Sequence, residues 1–172
     1  MIEQNTSLRV LDIVAGTSVD GPGLRTSIYF AGCSHHCKDC HNPESWDPHG
    51  GRLMTIREIV ERIDQEDFNV TFSGGDPLYQ IESLILLAKA LKQSGRNIWC
   101  YTGYTIEEIC FNDRLRPILS YIDVLVDGRF DTTRRDTTLR FRGSSNQRII
   151  DLHQSRIDNS SNLPVEIRIL DL

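Results

Sequence analysis

The stretch Asn69-Val70-Thr71-Phe72-Ser73-Gly74-Gly75-Asp76-Pro77-Leu78 holds a complete change of secondary structure. Asn69–Phe72 is short, β-branched and aromatic, and reads as a strand. Ser73-Gly74-Gly75 ends it. Asp76 suits the cap of a helix and Pro77 its first position, where a missing N–H costs nothing. Pro77–Ser94 then carries Leu84, Leu87, Ala88 and Leu91 at helical spacing, and Gly95 stops it.

The same unit recurs outward in both directions. Arg25–Ala31 is a predicted strand that runs into a cysteine cluster. Thr55–Gln65 is a predicted helix, with a capping box in Thr55 and Glu58 and one apolar stripe in Ile56, Ile59, Val60 and Ile63. Asn97–Tyr101 reads as a strand ending at Thr102-Gly103, and Thr105-Ile106-Glu107-Glu108 opens another helix with a second capping box. Tyr121–Val126 reads as a strand ending at Asp127-Gly128. Gln147–Leu152 and Val165–Leu170 are further strand candidates, the latter alternating Val165, Ile167 and Ile169. Residues 1–8 are expected to form a loose start. No repeat, low-complexity tract or linker interrupts the chain, so a single domain over 1–172 is expected, with its core at about 10–150.

Strand–helix alternation implies an α/β fold of parallel strands with right-handed crossovers. The cysteines, Gly-Gly-Asp, Thr-Gly and Asp-Gly each follow the end of a predicted strand. Loops after the carboxyl ends of parallel strands converge on one site. Four or five such units fall short of the eight in a full barrel of ~250 residues. An open, partial (β/α) barrel fits the length.

Composition narrows the function. Of 172 residues, 39% are hydrophobic and 25% charged, which suits a folded domain rather than a disordered one. The net charge of −5, from 19 Lys+Arg against 24 Asp+Glu, argues against a broad basic surface for nucleic acid. No run approaches the ~18 apolar residues of a membrane helix, so no membrane role is expected. Met1–Asn5 carries an acid and no basic or apolar run, and does not read as a secretory signal. Five cysteines is an odd number for a disulfide framework, and three of them crowd together. A reduced, cytoplasmic setting is expected.

Cys33-Ser-His-His-Cys37-Lys-Asp-Cys40 has the spacing C-x3-C-x2-C. Soft thiolates suit iron–sulfur clusters. Three of them can hold three irons of a cubane and leave the fourth iron open for another ligand. Cys100 falls inside a predicted strand and Cys110 inside a helix, so both read as small buried apolar residues rather than as the missing ligand. A zinc-stabilised binding module using these cysteines with His35, His36, His41 or His49 is a chemical alternative, although zinc ligands usually come in separated pairs. A Cys37-x-x-Cys40 dithiol would leave Cys33 idle.

The spacing after a first strand resembles that of radical S-adenosylmethionine (SAM) enzymes. Val19-Asp20-Gly21-Pro22-Gly23-Leu24-Arg25 and Cys40-His41-Asn42-Pro43-Glu44-Ser45-Trp46 are similar to the glycyl-radical-enzyme activases. Ser73–Leu78, Tyr101-Thr102-Gly103-Tyr104, Leu125–Phe130 and Arg142-Gly143-Ser144-Ser145-Asn146-Gln147-Arg148 resemble one branch, the activating proteins of anaerobic ribonucleoside-triphosphate reductases. The resemblance covers roughly residues 10–150. It implies an oxidoreductase carrying a [4Fe–4S] cluster and SAM, with the anaerobic reductase as protein substrate and a one-electron donor such as flavodoxin or ferredoxin. The reduced cluster would cleave SAM to methionine and a 5′-deoxyadenosyl radical, which would take hydrogen from a glycine of the reductase. A pyruvate formate-lyase activase, or a small radical SAM enzyme acting on a metabolite such as a deazapurine precursor, is the alternative within the same chemistry.

Residue by residue, the resemblance implies Cys33, Cys37 and Cys40 as cluster ligands. Asp39, Cys40 and His41 match the stretch that lines SAM, although Asp39 stands where many relatives carry an aromatic residue. Gly74, Gly75 and Asp76 match the element that meets the methionyl ammonium. Asp76 is thus expected both to cap its helix and to face SAM. Thr102 and Asp127, at strand ends, are expected to line the site. Trp46 and Trp99 read as packing residues, and His49 and His153 as surface. Arg129, Arg134, Arg135, Arg140 and Arg142 concentrate positive charge in a segment too modest to predict a lid.

Overall fold

The computed structural model describes residues 6–158 and 163–172, as one mixed eight-stranded sheet with three α-helices. The strands are β1 (Ser7–Thr17), β2 (Arg25–Phe30), β3 (Arg52–Thr55), β4 (Asn69–Gly74), β5 (Ile98–Tyr101), β6 (Val124–Asp127), β7 (Arg148–Asp158) and β8 (Leu163–Ile169). The helices are α1 (Ile56–Asp64), α2 (Ile81–Gln93) and α3 (Ile106–Phe111).

Strand order is β3-β1-β2-β4-β5-β6-β7-β8. The expected parallel sheet is its centre: β2, β4, β5 and β6 run parallel, joined through α1, α2 and α3. Both flanks are antiparallel, with β3 and β1 on one side and β7 and β8 on the other. The expectation of parallel pairing throughout is corrected there. The connections from β1 to β2 and from β7 to β8 are too short for the crossover that a parallel neighbour needs, and the longer segment between β6 and β7 holds no α-helix to carry the chain back across the sheet.

Two strands lie outside the sequence expectations. β1 alternates buried Leu8 and Val10 with more exposed positions and carries Asp12 and Gly16, which blur its apolar pattern. Of the loose start expected over 1–8, Ser7 and Leu8 belong to β1, and residues 1–5 lie outside the described residues. β3 is only four residues long and pairs with β1 directly before α1.

The helices form for the reasons their sequences state. Thr55 and Thr105 each accept the amide of the residue three on, and Glu58 and Glu108 reach back to the threonine amides. Each capping box satisfies donors that the first helical turn leaves free. Ile56, Ile59 and Ile63 of α1 and Leu84, Leu87, Ala88 and Leu91 of α2 are buried. The helix expected over Pro77–Ser94 begins as a 3-10 turn over Pro77–Gln80, and α2 starts after it. Gln80 explains the break. Its side-chain amide accepts from Arg9 N and donates to the carbonyls of Arg9 and Ala31, tying the turn to β1 and to the end of β2.

Strand side chains alternate between two unlike faces. Ile28, Phe30, Val70, Phe72, Ile98, Cys100, Leu125 and Ile150 share one apolar core with the three helices. Trp99, Val124, Val126 and Ile149 form a second cluster with Tyr101, Phe141 and Leu170. That second face carries loops instead of helices, and a cleft of about 540 Å³ opens there at the carboxyl end of the parallel strands.

Candidate functional site

The cysteine loop leaves β2 through Ala31 and Gly32, and the backbone of the next parallel strand clamps it. Gly75 N donates to Phe30 O and Asp76 N to Gly32 O, both at 2.8 Å. Gly32 N in turn donates to Ser45 O at 2.8 Å, and Cys33 N to Trp46 O at 3.3 Å. This crowding is what Gly74 and Gly75 serve. A Cβ on Gly74 (φ 107°) would overlap the backbone of Phe30, and one on Gly75 would stand 2.7 Å from Ser45 O.

Cys33, Cys37 and Cys40 all line the cleft, together with His41, Gly74, Gly75 and Thr102. The turn from Cys37 to Cys40 is closed by Cys40 N donating to Cys37 O, with Asp39 in the left-handed region at φ 57°. Burial pushes the Cys33 and Cys37 thiols above the ordinary cysteine value. Metal binding there therefore displaces protons held more firmly than in a free thiol. Cys100 and Cys110 are buried in the helix-side core, away from the cleft.

Three of the expected site residues do not line the cleft: Asp39, Asp76 and Asp127. Asp39 is exposed in the cysteine loop. Asp76 is 1% exposed. Its Oδ1 accepts Leu78 N at 2.9 Å as the helix cap. Its Oδ2 accepts Thr102 Oγ1 at 2.9 Å, Gly103 N at 3.0 Å and His35 Nε2 at 2.7 Å. Four donors of the chain itself thus meet this carboxylate. Asp127 is likewise 1% exposed. It accepts Ile106 N at the start of α3 and pairs with Arg148, which also holds Glu107. Those two carboxylates raise the guanidinium's pKa, and Arg148 lowers that of Glu107.

The segment from Gly128 to Gln147, between β6 and β7, forms a strap along one side of the cleft. Phe130, Arg135, Leu139, Phe141 and Arg142 all line the cleft from it. Gln147 staples its ends: Nε2 donates to Gly128 O at 3.0 Å, while Oε1 accepts Gly143 N at 2.9 Å. Asn146 Nδ2 donates to Arg129 O at 2.8 Å, and Phe130 packs on His41 with ring centroids 4.9 Å apart. The run Arg142–Arg148 is therefore the fastening of the strap. The arginine concentration is largely engaged within the fold: Arg129 pairs with Glu108, Arg134 with Asp131, and Arg142 with Gln147 O.

Sequence reasoning missed His35, Tyr101, Phe130 and Trp46 as cleft residues. The histidine had one signal, its place between two cysteines. The others stand at the ends of motifs that the family resemblance singled out, and their residue types alone read as packing.

The donor set fits an iron–sulfur cubane better than a mononuclear ion. A zinc centre needs donors gathered at about 2.0–2.3 Å around one point, and among the described residues no three His, Cys, Asp or Glu side chains gather in that way. A cubane presents a separate iron to each thiolate, so three cysteines lining one cleft suit it, and no fourth cysteine lines that cleft.

Comparisons with known proteins agree. Residues 19–150 match the 4Fe-4S single cluster domain. The chain is 37% identical over 140 residues to the anaerobic ribonucleoside-triphosphate reductase-activating protein of Vibrio cholerae serotype O1, covering 75% of this chain and 88% of the relative. The protein of the same name from Enterobacteria phage T4 is 34% identical over 140 residues, covering 76% and 86%. That from Escherichia coli K12 is 32% identical over 139 residues, covering 75% and 89%. Among solved structures, QueE from Escherichia coli shares the fold, with a TM-score of 0.51 and 15% identity over 60% of this chain and 56% of QueE. A matching cluster domain, relatives of one name over three quarters of the sequence and three cysteines on a single cleft wall lead to one conclusion: the chain belongs to the family of anaerobic ribonucleoside-triphosphate reductase-activating proteins.

Proposed function

We propose that this chain activates an anaerobic ribonucleoside-triphosphate reductase by generating a glycyl radical on it. The observation that carries the reading is the cleft wall, where Cys33, Cys37 and Cys40 stand beside Gly74, Gly75 and Thr102 with no fourth cysteine. The cofactors are a [4Fe–4S] cluster on the three cysteines and S-adenosylmethionine. When bound, the reduced cluster supplies the electron that splits SAM into methionine and a 5′-deoxyadenosyl radical able to take hydrogen from a glycine of the reductase.

The chain's own residues bind, orient and exclude water. Gly74 and Gly75 offer backbone to the methionine end of SAM, and His41, braced by Phe130, forms a side wall. Thr102 lines the cleft with its hydroxyl proton committed to Asp76. Asp76 and Asp127 act from behind the wall by fixing the loops after β4, β5 and β6. Asp39 serves the turn that brings Cys40 round. The strap limits water around a reactive carbon radical. The fold that goes with this chemistry is an open, partial (β/α) barrel, which the four parallel strands and the split between a helix face and a loop face support.

The glycine segment of the reductase would enter between the strap and Val19-Asp20, which also line the cleft. A one-electron donor such as flavodoxin or ferredoxin would reduce the cluster. Five free thiols fit a reduced, cytoplasmic setting. Among the described residues no helix is long and apolar enough to cross a membrane. The test is anaerobic reconstitution with iron and sulfide, then reduction with SAM and the reductase. A glycyl radical signal by electron paramagnetic resonance is the expected result. Iron uptake and SAM cleavage without that signal would point to another client.

A further inference from the structure

His35 stands midway between two of the cysteines, and its ring is nearly enclosed, with a side-chain exposure of 5%. Its Nε2 lies 2.7 Å from Asp76 Oδ2. A carboxylate oxygen that already meets the Thr102 hydroxyl and the Gly103 amide is an acceptor, so this contact is a hydrogen bond from the ring to Asp76. The ring packs edge-on against Tyr104, with centroids 4.6 Å apart at 74°. On a further side it presses on Gly103, where a Cβ would overlap the imidazole. The cysteine loop is thereby joined at its midpoint to the turn after β4, through Asp76, and to the turn after β5, through Gly103 and Tyr104.

We infer that His35 is a positioning residue for the cluster. Only three residues separate Cys33 from Cys37, so holding the middle one sets the direction in which both thiols point. Asp76 is an effective anchor because Leu78 N, Thr102 Oγ1 and Gly103 N already fix its carboxylate. A hydrogen-bond chain thus runs from the cysteine loop through Asp76 to Thr102, and the cluster and the Gly74-Gly75 backbone are held in one frame. The inference rests on the assignment of the cluster to Cys33, Cys37 and Cys40.

The test compares His35→Phe, which keeps a ring against Tyr104 and removes the donor, with His35→Gln, which keeps an N–H donor. Each is reconstituted anaerobically beside the wild type. Three quantities are read: the melting temperature of the metal-free protein, the rate at which an iron chelator strips the cluster, and the SAM concentration that half-saturates the change in the reduced cluster's paramagnetic resonance spectrum. Outer partners of metal ligands are worth about 10–100-fold in metal affinity. His35→Phe is therefore expected to lose iron about tenfold faster and to need about tenfold more SAM, while His35→Gln stays near the wild type in both. Should His35→Phe not fold, His35→Met fills the same space without a donor and is judged by the same criteria. The inference is overturned if the donor-free variant matches the wild type in iron loss and SAM response. It is also overturned if His35→Gln falls as far as His35→Phe, since His35 would then be only a core filler. A wild type that takes up no cluster overturns this inference together with the proposed function. Normal loading with insensitive His35 variants overturns this inference alone.

Discussion

Gly75 and Gly32 lie backbone to backbone, so that a Cβ on Gly75 would overlap the Gly32 carbonyl oxygen. The contact joins the loop that carries the cysteines to the strand end that carries Gly-Gly-Asp, and it leaves no flexible side chain to yield. Gly75→Ala must displace the cysteine loop itself. Overpacking of this kind costs about 1–3 kcal/mol. A lower denaturation midpoint and reduced iron uptake are the expected results, and an alanine variant with wild-type values in both would show that the loop can move freely.

Cysteine substitutions separate ligands from core residues. Cys33→Ala, Cys37→Ala and Cys40→Ala should each abolish stable iron binding after reconstitution. Cys100→Ala and Cys110→Ala should keep the iron and lose about 1 kcal/mol of stability, because each removes one buried sulfur from the helix-side core. Loss of iron in Cys100→Ala alone would point to a four-cysteine site.

Asp76→Asn tests the difference between a helix cap and a hub. Judged as a cap, asparagine serves about as well as aspartate. Within the fold, Oδ2 faces the Thr102 hydroxyl, the Gly103 amide and His35, and an amide NH2 at that point would meet donors. An unmatched buried donor costs about 1–3 kcal/mol. Urea denaturation should show a loss of that order, and an unchanged midpoint would reduce Asp76 to its cap.

Acid sensitivity should involve Asp123. Burial alone would raise its pKa, but Lys92, the Ile98 amide and His153 reverse that and hold it below the ordinary aspartate value. A folded-state pKa below the unfolded one gives stability that is present above the unfolded pKa near ~3.9 and lost as pH falls through the folded value. Lys92→Met should therefore destabilise the protein at pH 7, with the gap to the wild type shrinking below about pH 4. A gap of equal size at pH 3 would assign the effect of Lys92 to packing.

Gln147→Ala removes the staple between Gly128 O and Gly143 N. Limited proteolysis should then cut within residues 129–142 several-fold faster, while α1 and α2, packed in the core, keep their protection. Equal cutting of wild type and variant would mean that Arg142 and Asn146 hold the strap without it.

The sequence by itself determined what depends on residues three or four apart. The capping boxes at Thr55–Glu58 and Thr105–Glu108, the apolar stripes of α1 and α2, the four central strands and the C-x3-C-x2-C loop are all local, and each is legible in the sequence alone. Tertiary structure decided what depends on partners remote in the chain. β1 was obscured because its identity comes from pairing with β2 and β3 rather than from its own pattern. Asp76 looked like a cap that faces a ligand. Its remaining bonds go to Thr102 and Gly103, 26 and 27 positions away, and to His35, 41 positions away, and these turn it inward. The strap had no local mark, because the run that fastens it acts through single hydrogen bonds to Gly128 and Arg129 across a long loop. Local hydrogen bonds and apolar periodicity are written in neighbouring letters; the order of the strands and the convergence of their loops arise only when the chain folds back on itself.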